Sequence, residues 1–407
     1  MSSDRKRVFV FVVCGAKEHI DTIHFSLKSL RYFTQYDIVV VTDSSRNETA
    51  VQHHNIIDIK TPEHFSHHQA SIYLKTGLHK FLPKGNLYCY LDTDVIALSH
   101  SVNSIFDHKT SVIMFAPDHS RMRQFSPYAV HCGCLTKNRN EWSELNALLK
   151  RYYTNPSVVS EEMLPKQETL RRKFELIKQS PFSLLQIAMK YALPGSTLQL
   201  DADTFYHKKE HYWFDADGKT ILFDYPATVI RQIESNSKWR WSSLKRRWIS
   251  PAGRDIHSLE CGHLREKIQH KFGIAVEDDN WQHWNGGVFL FDENSYAFMD
   301  AWHDKTMQIF SDPDWKTRDQ GTLIATVWEF RLQKNAPLSK HYNFIADYSN
   351  PQLMISTDRN YISDDAFVTK YSPAFIHIFH QFGVGGWNVW DWVEEILFGK
   401  KERTTEV

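Results

Sequence analysis

Residues 87–98 read Leu87-Tyr88-Cys89-Tyr90-Leu91-Asp92-Thr93-Asp94-Val95-Ile96-Ala97-Leu98. An apolar run ends in two carboxylates spaced i and i+2. In an extended chain such positions share a face. Asp92 and Asp94 can therefore approach one hard divalent cation, which takes oxygen ligands and fills its shell with water and phosphate oxygens. A strand end followed by a polar turn has the same appearance, and the three-residue element alone does not separate the two readings.

The flanking sequence supplies context. Val8–Val13 is a β-rich run ended by Cys14-Gly15. Ile20, Ile23, Leu27 and Leu30 mark one face of a helix. Asp37–Val41 and Asn55–Ile59 read as strands, Gln69–Phe81 as a helix, and Leu87–Leu91 and Val112–Ala116 as further strands. Strands alternating with helices imply an α/β fold with a mixed, mainly parallel sheet sandwiched by helices. In such sheets ligands bind outside the carboxyl ends of the strands. Cys14-Gly15, Asp43 and Asp92-Thr93-Asp94 all fall there.

Further polar groups come late in the chain. Asn285-Gly286-Gly287 precedes the apolar strand Val288–Phe291, a helix spans Ser295–Phe310, and Asp319-Gln320 opens another at Gly321–Phe330. Asp319 suits a helix N-cap. Phe375 to Trp387 runs from a strand into a glycine-rich loop that includes His380 and Gly383. Such a loop can turn backbone N–H groups toward phosphate.

Composition sets the bounds. The 407 residues carry 48 basic and 48 acidic side chains, so nothing draws the chain to nucleic acid. No apolar run is long enough to span a bilayer. The basic start and Val8–Val13 lack the features of a secretion signal. With five unevenly spaced cysteines, this gives a cytoplasmic expectation.

The ordered set resembles glycosyltransferases of the GT-A fold, and most closely family 8, the glycogenin and lipopolysaccharide galactosyltransferase type. The carriers are Tyr90-Leu91-Asp92-Thr93-Asp94, Asn285-Gly286-Gly287-Val288, Asp319-Gln320 and His380-Gln381-Phe382-Gly383…Trp387, in the family's order. The resemblance implies a metal-dependent transferase that moves a hexose from a nucleoside-diphosphate sugar, UDP-glucose or UDP-galactose, with retention. The acceptor would be a glycan, a lipid-linked saccharide or a protein. Asp92, Asp94 and His380 would hold Mn²⁺ or Mg²⁺. Cys14, Gly15 and Asp43 would hold the nucleoside. Lys75 falls where the family has a basic residue facing the donor, and Asn285, Gly286 and Gly383 would contact the donor as well. Asp319 would touch the transferred sugar, with Gln320 near its anomeric carbon. Gly385-Gly386 stand where the family has Lys-Pro, which leaves phosphate contact to backbone N–H groups. In an inverting relative Asp319 would be the base.

The expected organisation is a nucleotide-sugar part at 1–117, an acceptor-side insertion at 118–280, the remainder of the GT-A domain at 281–395 and a flexible tail at 396–407. The insertion holds Asp201-Ala202-Asp203, a weaker copy of the acidic element, and a basic aromatic stretch, Lys238–Trp248, that suits a membrane surface or a glycan. The alternative there is Trp residues packed inward. His131-Cys132-Gly133-Cys134 and Cys261-Gly262-His263 present soft ligands suited to structural zinc, or simply buried thiols. Two rival functions share the first motif. One is a haloacid-dehalogenase-type phosphatase with Asp92 as nucleophile. That motif normally opens its domain, whereas about 90 residues precede it here. The other is a non-catalytic nucleotide-sugar or glycan-binding relative.

Overall fold

The computed structural model describes residues 5–399 apart from 153–165, 167–168, 171–172, 175–176, 178–179, 210–211, 224–226, 243–246, 317–318, 348–352, 357 and 364–368. It forms two compact units, Met1–Cys132 with Glu260–Val407, and Gly133–Leu259.

The first unit is mixed α/β with a largely parallel central sheet. Besides a short pair, Met354–Ile355 with Ile362–Ser363, its described strands are β1 (Arg7–Val13), β2 (Asp37–Thr42), β3 (Ile56–Asp58), β4 (Leu87–Leu91), β5 (Val95–Ala97), β6 (Met114–Arg121), β7 (Gln282–Phe291), β8 (Phe344–Ala346) and β9 (Phe375–Ile378). Six of them form one sheet in the order β3-β2-β1-β4-β7-β6. β1 is parallel to β2 and β4, and β2 to β3. β7 runs antiparallel to β4 and β6.

The continuous apolar run of β1 follows from burial on both faces. Phe9, Phe11 and Val13 pack with Ile20, Ile23, Leu27 and Leu30 of the helix Lys17–Phe33. Val8, Val10 and Val12 point the other way, toward Ala70 and Leu74 of the helix His67–Thr76 and Met299 and Trp302 of the helix Tyr296–Ile309. The helix expected over 69–81 is broken at Gly77 into His67–Thr76 and Leu78–Phe81. A capping box between Ser66 and Gln69 starts it two residues early.

β6 and β7 are longer than the apolar runs that mark them, because their polar ends pair with each other. Gln282 and Asn285 oppose Arg121 and Ala116. Between Asn285 and Phe289 the ladder with β6 is irregular, while Val288 opposes Leu91 of β4. Gly286-Gly287 is that irregularity. A second sheet, β8-β9-β5, sets His377 of β9 opposite Val95. The last helix, Asn388–Phe398, extends into the segment expected as a tail.

The second unit carries a four-stranded antiparallel sheet of Thr197–Asp201, Thr204–His207, Tyr212–Asp215 and Thr220–Phe223. The turn Asp201-Ala202-Asp203 joins its first two strands. There the Asp201 carboxylate accepts from Asp203 N at 3.1 Å and meets Lys173 Nζ at 2.5 Å, so it is spent on its own turn and on that ion pair. Trp239 and Trp248 are fully buried in a cluster with Leu145, Val229, Ile233 and Ile256. These two indoles turn inward, as in the alternative reading of 238–248, of which residues 243–246 lie outside the described residues. The aromatic spacing there is that of a strand pair, Arg240–Ser242 with Arg247–Ile249, whose flanking indoles turn inward. No helix among the described residues is long and apolar enough to cross a membrane.

His303 is a stability element of the first unit. It is 5% exposed, and its Nδ1 lies 2.8 Å from Thr76 Oγ1, whose hydroxyl donates to Ile72 O. The imidazole is therefore the donor. Burial, helped by Lys80, pulls its pKa down to about 4. Above the unfolded value near 6.5 its contribution is fully present. As pH falls from there toward 4, the unfolded chain takes up a proton that the folded chain refuses, and stability is lost. His303→Gln keeps a donor to Thr76 without the charge. It is expected to reduce the loss of stability between pH 6.5 and 4.5 by about 2 kcal/mol relative to the parent, measured by urea unfolding at each pH.

Candidate active site

The site lies at the carboxyl ends of β4 and β9. Asp92 N donates to Gly287 O at 2.8 Å, which locks the acidic turn to the irregular segment of β7. Val95 N returns to Asp92 O at 3.1 Å. The turn is thereby narrow, and both carboxylates stay on one side. Asp92 accepts from the Tyr90 hydroxyl at 2.5 Å.

Lys75 projects from the helix His67–Thr76 into this space and is 9% exposed. Its ammonium sits 3.1 Å from Asp92 Oδ1 and 2.9 Å from Asp319 Oδ2. Burial alone would lower the Lys75 pKa, but the Asp319 and Asp92 carboxylates reverse this and hold it above the ordinary lysine value. Burial raises the Asp92 pKa, with Lys75 opposing. Asp94 goes the other way: burial would raise it, yet the adjacent His377 holds it below the carboxylate range.

His377 Nε2 lies 3.2 Å from Asp94 Oδ1. The histidine expected beside the acidic pair was His380. The structure puts His380 Nδ1 3.1 Å from Asp347 Oδ2 instead. The reason is register. His377 is inside β9, opposite Val95, and Ile378 N donates to Asp94 O at 3.0 Å, so the strand itself carries the ring to Asp94. His380 stands two residues past the strand. Donor atoms of Asp92, Asp94 and His377 all lie within 4.8 Å of one another.

A directed chain of hydrogen bonds orients that imidazole. Asn285 Nδ2 donates to Asp118 Oδ2 at 2.9 Å, and Asn343 Nδ2 donates to Asn285 Oδ1 at 3.0 Å. Asn343 Oδ1 is then left as the acceptor for His377 Nδ1, at 3.1 Å. Nδ1 therefore carries the proton and Nε2 faces Asp94. This is the outer support that metal-bound histidines commonly have. Two carboxylates and a supported imidazole fit Mn²⁺ or Mg²⁺, and the nitrogen tilts the set toward Mn²⁺.

Gly287 is required by close approach. A Cβ there would stand 2.5 Å from His377 Cε1, 2.8 Å from Asn285 Oδ1 and 2.9 Å from Asp92 Oδ2. Gly286 N donates to Gln320 Oε1 at 2.9 Å, and Gln320 Nε2 donates to Trp284 O. Both ends of the Gln320 amide are thus committed to β7. Asp319 opens the helix Asp319–Glu329, and Trp302 Nε1 donates to its carbonyl at 2.9 Å.

The residues expected to hold a nucleoside are less available. Asp43 is 1% exposed. Its carboxylate accepts from Ser45 N and Oγ at 3.2 and 2.5 Å, and from Thr61 N and Oγ1 at 2.8 and 2.6 Å. Burial would raise its pKa, but these donors bring it to about 2. It shapes the loop after β2. Burial pushes the Cys14 thiol up to about 11, which leaves it an inert neutral group. Gly15 takes a φ of +108° with its N–H on Asn47 Oδ1 at 3.0 Å, and a Cβ would meet the His67 ring at 2.8 Å. Gly383 lies in an open turn of the loop after β9, beyond Phe379, whose ring is 6.1 Å from that of His377.

Asp118, His119, His283, Asn343 and His377 were not among the expected site residues. Burial would raise the Asp118 pKa, yet the imidazoles of His283 and His119 and the Asn285 amide hold it far below the carboxylate range. Asp118 carried the same signal as Asp43, an acid at the end of an apolar strand.

No family model matches the sequence, and no curated protein matches it. Solved structures do. The bifunctional glycosyltransferase WbbM aligns over 98% of this chain and 50% of its own, at 10% identity and a TM-score of 0.41. An active-site mutant of LgtC aligns over 97% and 98%, at 10% identity and 0.38. Mouse xyloside xylosyltransferase 1 aligns over 85% and 89%, at 9% identity and 0.33. The chain spans about half the length of WbbM.

Two outcomes follow from this geometry. Asn343→Leu removes the acceptor for His377 Nδ1 and is expected to weaken Mn²⁺ binding by about 10–100-fold without loss of fold, read by titration against the electron paramagnetic resonance signal of free Mn²⁺. Lys75→Met leaves two carboxylates uncompensated and is expected to cost about 3–5 kcal/mol of stability in metal-free buffer, read by denaturant unfolding.

Proposed function

We propose that the protein is a metal-dependent glycosyltransferase that moves a hexose from a nucleoside-diphosphate sugar, UDP-glucose or UDP-galactose, to a saccharide acceptor with retention. The supporting observation is the convergence of Asp92, Asp94 and His377 beside the buried Lys75–Asp319 pair. The ordered motifs that resemble family 8 of the GT-A transferases support the choice of reaction.

Asp92, Asp94 and His377 would hold Mn²⁺, with Mg²⁺ as the alternative. A cation bound there supplies Lewis-acid neutralisation of the departing nucleoside diphosphate. The chain's own residues do the positioning. Asp118 and Asn343 fix Asn285 and, through it, the imidazole. Lys75 pairs with the Asp319 carboxylate at 2.9 Å and would aim it along the edge of the site, where it would accept hydroxyls of the transferred sugar. Gln320 is assigned to positioning rather than to the anomeric carbon, because its amide already holds Gly286 and Trp284. Phe379 and the loop that contains Gly383 would cover the diphosphate with backbone N–H groups.

The phosphatase alternative is not favoured. Its motif normally opens the domain, whereas here the acidic pair follows β4, with β1, β2 and β3 before it in the chain.

Purified protein with Mn²⁺ and UDP-hexose is expected to release UDP, slowly by hydrolysis and faster with an acceptor saccharide. Asp94→Asn is expected to lower this rate by at least ~100-fold, the several kcal/mol that metal stabilisation supplies. UDP release that survives Asp94→Asn would overturn the assignment. Inorganic phosphate release would point to the phosphatase, and donor binding without turnover to a non-catalytic relative.

A further inference from the structure

Three of the five cysteines converge on one place far along the chain from the acidic turn. Donor atoms of Cys132, Cys134, Cys261 and His263 all lie within 4.8 Å of one another. Cys132, Cys261 and His263 belong to the first unit. Cys134 follows Cys132 by two residues and opens the helix Cys134–Tyr152.

The backbones that carry these groups are pinned to the first unit. Cys261 N donates to Arg123 O at 3.1 Å, and Leu264 N donates to Ser126 Oγ at 2.9 Å; both partners lie on the helix Met122–Ala129. Cys132 N returns to Val130 O at 3.1 Å, and His131 N donates to Asp314 O at 2.9 Å. His263 opens the helix His263–Phe272. The donors are thus presented by short, hydrogen-bonded segments.

The sulfur spacing separates two chemistries. Cys132 Sγ and Cys261 Sγ are 3.9 Å apart. A disulfide requires about 2.05 Å. Two thiolates on one tetrahedral zinc with Zn–S bonds of about 2.3 Å stand about 3.8 Å apart. All four donors are partly buried, and none of the three cysteines is in a disulfide.

We propose that Cys132, Cys134, Cys261 and His263 bind a structural zinc ion. The set is Cys₃His, with four protein ligands and no position left for substrate, which is the closed arrangement of structural sites. It is independent of the acidic site, whose oxygen-rich donors suit a harder cation. Its place in the chain gives it a purpose. Cys132 ends the first stretch of the first unit, and Cys261 lies one residue into its second stretch. A zinc ion there would tie the two stretches of the first unit together and keep the helix His263–Phe272 on Met122–Ala129. Binding requires three thiolates, so it also makes this part of the fold sensitive to oxidation.

The test uses the full chain, expressed with zinc and purified in reducing buffer without chelator. Metal analysis is expected to give about one zinc per chain, falling below about a tenth in Cys261→Ser and persisting in Asp94→Asn. His263→Cys is expected to retain zinc as a Cys₄ site. The unsubstituted protein gives a second readout that needs no variant to fold. Co²⁺ exchanged for zinc is expected to show the intense visible bands of tetrahedral cobalt and a near-ultraviolet thiolate charge-transfer band. Zinc that is lost in Asp94→Asn but kept in Cys261→Ser would overturn the proposal. So would reduced protein that holds no zinc after zinc is added, or octahedral Co²⁺ without a thiolate band.

Discussion

The site depends on one buried ammonium. Lys75 reaches from its helix to two carboxylates that come from opposite ends of the sequence, Asp92 at the end of β4 and Asp319 at the start of a later helix. A lysine this deep stays charged only because both anions are present. Its position is also what makes two neighbouring acids tolerable beside Asp94. Burial already raises the Asp92 pKa, and Lys75 is the largest influence that opposes it. A charged, rigid set can wait for a divalent cation.

The second constraint is steric. Gly287 lets the backbone of β7 pass so close to Asp92 and His377 that no side chain fits. The irregularity that Gly286-Gly287 makes in the β6 ladder turns part of an interior strand into a wall of the site. From that wall Asn285 passes orientation to Asn343 and His377, and Gln320 pins the strand from the far side. In the proposed function, positioning and metal ligation would be parts of one hydrogen-bonded assembly. A substitution at Asn343 or Gln320 therefore acts on the chemistry without touching it.

Much of this was legible in the sequence where the signal is periodic or terminal. The both-sides-buried runs of β1, β2 and β4 gave the sheet, and its carboxyl ends gave Asp92 and Asp94. What was not legible depends on register and pairing. His377 alternates into an apolar strand and reads as a strand residue. Only the pairing of β9 with β5 shows that it faces Asp94, while the more conspicuous His380 pairs with Asp347. Asp43 gave the right strand end, but its carboxylate closes its own loop through Ser45 and Thr61. Asn343 had no local signal, because its partners are 58 and 34 residues away. Trp239 and Trp248 looked like a surface feature by composition, and the second unit buries both.

The proposed metal site takes His377, not His380, as its third ligand. Mn²⁺ affinity, measured by calorimetry in parallel on the parent, His377→Ala and His380→Ala, tests it most directly. The account predicts that His377→Ala weakens binding by at least ~30-fold, in line with losing a ligand, whose removal should cost no less than losing its outer support, and that His380→Ala leaves it within about twofold, as expected of a group outside the coordination shell. Loss of Mn²⁺ in His380→Ala with binding intact in His377→Ala would contradict it.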